Sequence, residues 1–247
     1  MTRSQLTHED KAFLSTYDPA TYERPAVTVD LVILTILDDR LVLLLVQRNE
    51  PPYRKKWALP GGFVRVGNGK SSRGEDLLEA AQRELSEETG LPTDDILLAQ
   101  IGAFGAPMRD PRMRVVSIAY AALVRPTLAP FIQAGGDAAR TEWTALNDAM
   151  KMPLAFDHPE IASKALQWLR DQLVRSSIAR SLLPPTFSIA ELRRVHEAIL
   201  DVSIDPGNFR KRFLRMIDDS VIEQAPGRRI TASKPASVYR FVDTGRS

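Results

Sequence analysis

Apolar positions in the first half of the chain fall into short, dense runs. Ala26 to Leu37 and Arg40 to Arg48 are β-branched and leucine-rich and are interrupted only by Asp38-Asp39, which predicts two strands joined by a tight turn. Trp57 to Gly62 follows as a turn-rich approach to a helix. On that helix Leu78, Ala81 and Leu85 repeat at i, i+3 and i+7, and Gly90 fits a C-terminal stop. Ile96 to Phe104 and Val115 to Val124 predict further strands. Between them lies a loop bearing Pro107, Arg109, Asp110, Pro111, Arg112 and Arg114. Trp143 closes another short strand, and Ala149 to Leu154 begins a helical turn.

From Pro159 to Ser177 the period is helical, with Ile161, Ala165, Trp168 or Leu169, and Leu173 on one face, and Pro184-Pro185 ends it. Ser188 with Glu191 three residues on forms a capping box for a helix whose apolar face is Ile189, Leu192, Val195, Ile199 and Leu200. Asp205-Pro206 starts a second helix. Phe209, Phe213 and Met216 line one side of it, broadened by Leu214 and Ile217, and Asn208, Arg210, Lys211, Arg212 and Arg215 line the other. Val221 to Gln224 and Ser237 to Val242 read as strands around a basic hairpin of Pro226-Gly227-Arg228-Arg229 and Lys234. Two helices and such a hairpin predict a winged helix-turn-helix, with the basic face in a major groove and the wing along the backbone. The bland alternative is a small helical cap with a solvated basic face. The chain thus divides into an N-terminal arm at 1–24, mobile or dimer-contacting, an α/β domain at 25–157, a connecting helix and linker at 158–184, and the basic module at 185–247.

Chemistry concentrates in Arg83-Glu84-Leu85-Ser86-Glu87-Glu88-Thr89-Gly90-Leu91. Glu84, Glu87 and Glu88 stand three and four residues apart, so all three project from one helical face, where like charges repel by about 0.2–0.5 kcal/mol per pair. A hard divalent cation such as Mg2+, which takes carboxylate oxygens together with a substrate's phosphates, turns that repulsion into binding. The alternative is an ordinary charged surface helix.

Composition narrows the class. The chain has 247 residues, 44% of them hydrophobic and 26% charged, which fits a globular protein. No apolar run approaches the roughly 20 residues of a membrane span. The absence of cysteine excludes disulfides and thiolate metal sites, and the first ten residues lack a signal-peptide core, so a cytoplasmic location is expected. The net charge of +2 hides a skew, −1 before residue 185 and +3 from there on. His8, His158 and His196 are too scattered for a metal site and read as packing or surface residues.

Taken as G-x5-E-x7-R-E-U-x-E-E-x-G-U from Gly69 through Glu75 to Leu91, U being aliphatic, the acidic segment closely resembles the Nudix box. Joined to Gly61-Gly62-Phe63-Val64 and to a winged-helix-like end at Val238-Tyr239-Arg240-Phe241, it makes the chain similar to the Nudix-related transcriptional regulators of NAD metabolism, the NrtR family, over roughly residues 20–242. The resemblance implies a Nudix-like α/β/α sandwich with a mixed sheet followed by a small winged helix. It also implies a dimeric bacterial repressor that senses ADP-ribose or a related NAD metabolite, with double-stranded operator DNA as partner. Glu84, Glu87 and Glu88 become the Mg2+ ligand candidates and, with Arg83 as an orienting residue that pairs with Glu87 or Glu79, the catalytic set if the chain is active. Effector contacts are expected from Arg48, Arg65, Gly61, Gly62, Arg109 and Arg112. DNA contacts are expected from Asn208, Arg210, Lys211, Arg212, Arg215, Arg228, Arg229 and Lys234. One departure stands out: Arg65 to Gly74 separates the Gly-Gly pair from Glu75, and this longer loop is expected to displace Glu75 or loosen the catalytic geometry. A Mg2+-dependent ADP-ribose pyrophosphatase is the alternative function. A C-terminal protein-interaction module is the third reading.

Overall fold

The computed structural model describes residues 6–67, 73–94, 96–132, 140–175, 177–230 and 235–242. The N-terminal segment, expected to be an arm, carries a helix. This helix, α1 (His8–Thr16), is started by a capping box between Thr7 and Asp10, and none of its residues is buried. Phe13, Leu14 and Tyr17, together with Tyr22 just beyond it, are exposed.

Strands β1 (Ala26–Leu37) and β2 (Arg40–Gln47) pair antiparallel from Leu37 opposite Arg40. Asp38 and Asp39 hold φ of 49° and 57°, the left-handed pair that a two-residue hairpin needs to match strand twist. The approach to the acidic helix also enters the sheet, as β3 (Trp57–Ala58) against β2 and β4 (Gly61–Phe63) against the start of β1. Helix α2 (Leu77–Thr89) opens with a capping box between Asp76 and Glu79, and Gly90 closes it at φ 71°. Strand β5 (Leu97–Phe104) is antiparallel to β6 (Val115–Leu123), which runs parallel to β1 along its length. Strand β7 (Arg140–Ala145) pairs with β2 and completes a mixed sheet of seven strands. The helical turn expected at Ala149 to Leu154 comes earlier, as α3 (Leu146–Ala149).

Strand pleating sends alternate residues of β1 to opposite faces. Val29, Leu31 and Ile33 pack with Ala80, Ala81 and Leu85 of α2. Val32, Leu34 and Ile36 face the other way, toward α4 (His158–Arg175), whose Ile161, Ala165, Leu169 and Leu173 are buried. A 3-10 turn, Ile178–Leu182, leads to α5 (Ile189–Leu200), which Ser188 and Glu191 cap, and to α6 (Pro206–Asp218), which Asp205 caps. Phe209 and Phe213 are buried, whereas Leu214, expected to broaden that side, is exposed. Strands β8 (Ile222–Arg229) and β9 (Ala236–Phe241) form the wing. Pro226 to Arg229, read as hairpin, instead continue β8 past a bulge between Ala225 and Arg228.

The two halves share one core. The apolar cluster that begins under the sheet at Leu34 and Leu43 runs through Leu169 and Leu182 to Phe187, Leu192, Ile199 and Phe213 of the winged helix. Polar bonds add to it: Arg170 Nε donates to the Ile199 carbonyl at 3.0 Å, and Asn147 Nδ2 to Asp201 Oδ2 at 3.0 Å. Among the described residues no helix is long and apolar enough to cross a membrane.

Candidate functional site

The capping box of α2 and the packing of Leu85 fix which face of the helix looks outward over the sheet end. Glu84, Glu87 and Glu88 line a cleft of about 400 Å³ together with Arg48, Asn49, Glu50, Gly61 and Gly62. A Cβ on Gly62 would stand 2.2 Å from Glu84 Oε1, so only glycine lets that carboxylate lie against β4. Burial pushes the Glu84 carboxyl above its usual range, against the pull of Arg83.

Arg83 is the hub. Its Nε and Nη2 grip Glu75 at 2.9 and 2.6 Å, Nη1 donates to Glu84 Oε1 at 2.6 Å and Glu87 Oε2 at 3.0 Å, and Nη2 also reaches the Phe63 carbonyl at 3.1 Å. The expected Glu79 pairing does not form, because Glu79 accepts from Asp76 N in the capping box and from Arg73. Hydrogen bonds from Arg83 hold the Glu75 carboxyl well below the carboxylate range, at about 2.

The insertion does not displace Glu75. Arg65 N donates to Glu75 Oε1 at 2.8 Å and Glu75 N to the Arg65 carbonyl at 3.0 Å, closing the loop at its base. Gly74, at φ 79°, permits this closure, since a Cβ there would lie 2.9 Å from the Arg65 carbonyl oxygen. Gly69 lies outside the described residues. The Arg65 side chain turns toward α2, with Nη2 3.1 Å from Glu87 Oε1. As the side chains stand, no three acidic or histidine groups among the described residues are gathered tightly enough to hold an ion.

A second lobe of about 160 Å³ adjoins the first through Arg48, Leu59, Gly61 and Gly62, and is lined by Asp30, Phe63, Arg109, Arg112, Phe156 and His158. The Arg48 guanidinium lies 4.9 Å from the Phe156 ring centroid, and that of Arg112 5.5 Å from Phe63. Arg112 is held by Asp110 at 3.0 and 2.7 Å. Arg109, expected to be an effector contact, lines this lobe but is held there as a buried strut. It bonds Asp157 at 2.8 and 2.5 Å and Asp30 at 3.2 Å, and its side chain is 4% exposed. Asp30 also accepts from Ser117 Oγ at 2.5 Å. His158 is buried beside them, its Nδ1 accepting from Leu59 N at 2.8 Å, and burial pushes its pKa down. Sequence reading missed Phe63, Phe156, Asp157 and the place of His158 in this lobe. A Phe-Asp-His triplet running into the first residue of a helix carries no periodic or motif signal.

The second candidate surface is α6. Asn208, Arg210, Lys211, Arg212 and Arg215 are all exposed on it, apart from the half-buried or buried positions of its other side, where Phe209 and Phe213 anchor it. Buried His196 of α5 sets the pairing, with Nδ1 2.9 Å from the Leu192 carbonyl and the ring edge-on to Phe209 at 5.2 Å. Arg228 is exposed on the wing, but Arg229 is not presented with it. The Arg229 Nη2 donates to the Thr186 carbonyl at 2.6 Å and its Nε stands 3.4 Å from Glu191, binding the wing to the start of α5. Lys234 lies outside the described residues.

Comparisons with known proteins follow the same division. Residues 25–169 match the NUDIX domain family, and residues 179–241 match the NrtR DNA-binding winged helix domain. The chain is 34% identical over 232 residues to the ADPR responsive transcriptional repressor NtrR of Acinetobacter baylyi, spanning 94% of this chain and 88% of that protein. It is similar to the crystal structure of Shewanella oneidensis NrtR complexed with a 27mer DNA, with a TM-score of 0.72 at 30% identity over 87% of this chain and 93% of the other. The NUDIX domain of the same Shewanella protein complexed with ADP ribose matches at a TM-score of 0.54 and 31% identity, over 68% of this chain and 99% of that one. A Nudix fold with a complete acidic helix, built onto a winged helix of this specific type and matched along nearly its whole length by such a repressor, shows that the chain belongs to the NrtR family of Nudix-related transcriptional regulators.

Proposed function

We propose that the protein is a transcriptional repressor of NAD metabolism genes that responds to ADP-ribose or a closely related metabolite. The observation that carries this reading is the exposed cationic face of α6 on a module that shares its core with the two-lobed cleft. Arg210, Lys211, Arg212 and Arg215 offer phosphate and guanine-edge contacts in a major groove, and Asn208 offers an adenine contact. In the cleft, the slot between Phe63, Arg112, Phe156 and Arg48 suits a planar, electron-rich ring system, and the lobe at Glu84, Glu87 and Glu88 suits a pyrophosphate with its cation.

Mg2+ fits this donor set, since three carboxylates face one cleft and Gly62 leaves Glu84 room. Bound there, it would neutralise pyrophosphate charge. Glu84, Glu87 and Glu88 would hold it, with Arg83 orienting Glu84 and Glu87. The exposed aromatic residues Phe13, Tyr17 and Tyr22 at the N-terminus support a homodimer, in which effector binding shifts the spacing of two recognition helices by favouring one arrangement energetically.

One observation favours hydrolysis as a second activity: Glu75, Arg83 and the three glutamates remain assembled despite the insertion. Titration of the protein against operator DNA with and without ADP-ribose and Mg2+, with AMP release followed in the same samples, separates the readings. Specific DNA binding altered by intact ADP-ribose supports the sensor. Rapid AMP release without specific DNA retention refutes it in favour of a hydrolase.

A further inference from the structure

Resting on the reading of the acidic lobe as a cation and pyrophosphate site, we infer that Arg65 is a built-in, displaceable counter-ion for Glu87, which couples cation binding to phosphate binding. Both oxygens of Glu87 are already taken by guanidinium groups. Oε2 accepts from Arg83 Nη1 at 3.0 Å, and Oε1 is paired with Arg65 Nη2 at 3.1 Å. The two arginines differ in how firmly they are held. Arg83 donates to Glu75, Glu84, Glu87 and the Phe63 carbonyl, and its side chain is 15% exposed, so it stays in place. The Arg65 side chain is 64% exposed and meets no other partner among the described residues, while its main chain is pinned to Glu75 on both sides.

Arg65 is thus a fixed stem with a releasable head at the mouth of the cleft. A divalent cation seeking Glu87 Oε1 meets a positive charge already there, so metal alone binds against that competition. A pyrophosphate in the lobe offers the guanidinium a doubly charged partner of matching geometry. The head then transfers from Glu87 to phosphate and frees the oxygen. The insertion supplies this residue, since Arg65 stands at its base. Linkage makes the effect mutual: whatever phosphate gains from metal, metal gains from phosphate.

The test measures Mn2+ affinity of the full-length protein by electron paramagnetic resonance, with and without ADP-ribose, for wild type, Arg65→Gln, Arg65→Lys and the control Arg73→Gln, which removes a nearby charge paired with Glu79. Unfolding curves verify that each variant is folded. An exposed pair of this kind is worth at most about 1 kcal/mol, so Arg65→Gln is expected to bind Mn2+ alone about two- to fivefold more tightly than wild type. Its additional gain on adding ADP-ribose should shrink by the same factor. Arg65→Lys and Arg73→Gln should stay close to wild type. Equal Mn2+ affinity of wild type and Arg65→Gln without ADP-ribose overturns the inference, as does an equal gain from Arg73→Gln. Failure of wild type to bind ADP-ribose refutes the functional reading instead, and leaves the metal-only comparison to decide the role of Arg65.

Discussion

Leu192→Ala tests whether the sensor and reader halves are one cooperative body. Leu192 is wholly buried in α5, within the cluster that continues through α4 to the underside of the Nudix sheet. Truncating a buried leucine costs about 2–5 kcal/mol through lost transfer energy and the cavity left behind. In a chain of this size each kcal/mol moves the unfolding midpoint by about 2–4 °C, so the midpoint should fall by roughly 4–20 °C. The tryptophans offer a regional probe: Trp57 and Trp143 stand on strands of the Nudix sheet and Trp168 on α4, so none lies within the winged helix itself. Far-UV ellipticity reports on every helix. If the core is shared, Leu192→Ala lowers the fluorescence and ellipticity midpoints together, although the mutated residue lies in the other half. A fluorescence midpoint that stays at its wild-type value while an early ellipticity phase appears would refute the shared core.

Three further outcomes are expected. Arg210→Ala with Arg212→Ala should weaken operator binding with little change in ADP-ribose affinity. It should also flatten the plot of log affinity against log salt by about 0.9 for each DNA phosphate that the variant no longer neutralises. Equal weakening of both affinities would contradict separate surfaces. Glu87→Gln with Glu88→Gln should remove the Mg2+ dependence of the ligand response in a DNA-binding assay, and an unchanged dependence would take the carboxylate face out of the mechanism. Because the Glu75 carboxyl is depressed to about 2, its contribution to stability is present above its ordinary pKa of 4.5 and is lost as pH falls through about 2. The stability advantage of wild type over Glu75→Gln should therefore be full at pH 6 and shrink steadily below pH 4.5. Calorimetry showing a constant difference across that range would contradict the Arg83 pairing.

What the sequence revealed and what it withheld divide along the range of the interactions involved. The β1–β2 hairpin, the caps at Ser188 and Asp205, and the acidic face of α2 rest on residues within a few positions of one another, where spacing alone fixes geometry. What stayed hidden concerns long-range partners. Arg109 reads as an effector contact, and only the fold brings in Asp157, 48 residues away, and Asp30, 79 away, to hold it. Arg229 reads as part of a basic hairpin until Thr186, 43 residues earlier, accepts its hydrogen bond. The insertion reads as a disturbance of Glu75 because loop length is visible in sequence, whereas the hydrogen bonds that close the loop at Arg65 are not.

That closure makes the insertion a detour with a common entrance and exit. Loop-closure entropy rises only by about 0.6 kcal/mol for each doubling of length, so residues added or removed between Val66 and Gly74 should leave α2 in the same register on the sheet. The position is therefore a natural splice point for a reporter peptide or fluorophore, because the bonds between Arg65 and Glu75 tie the chain together on either side of it.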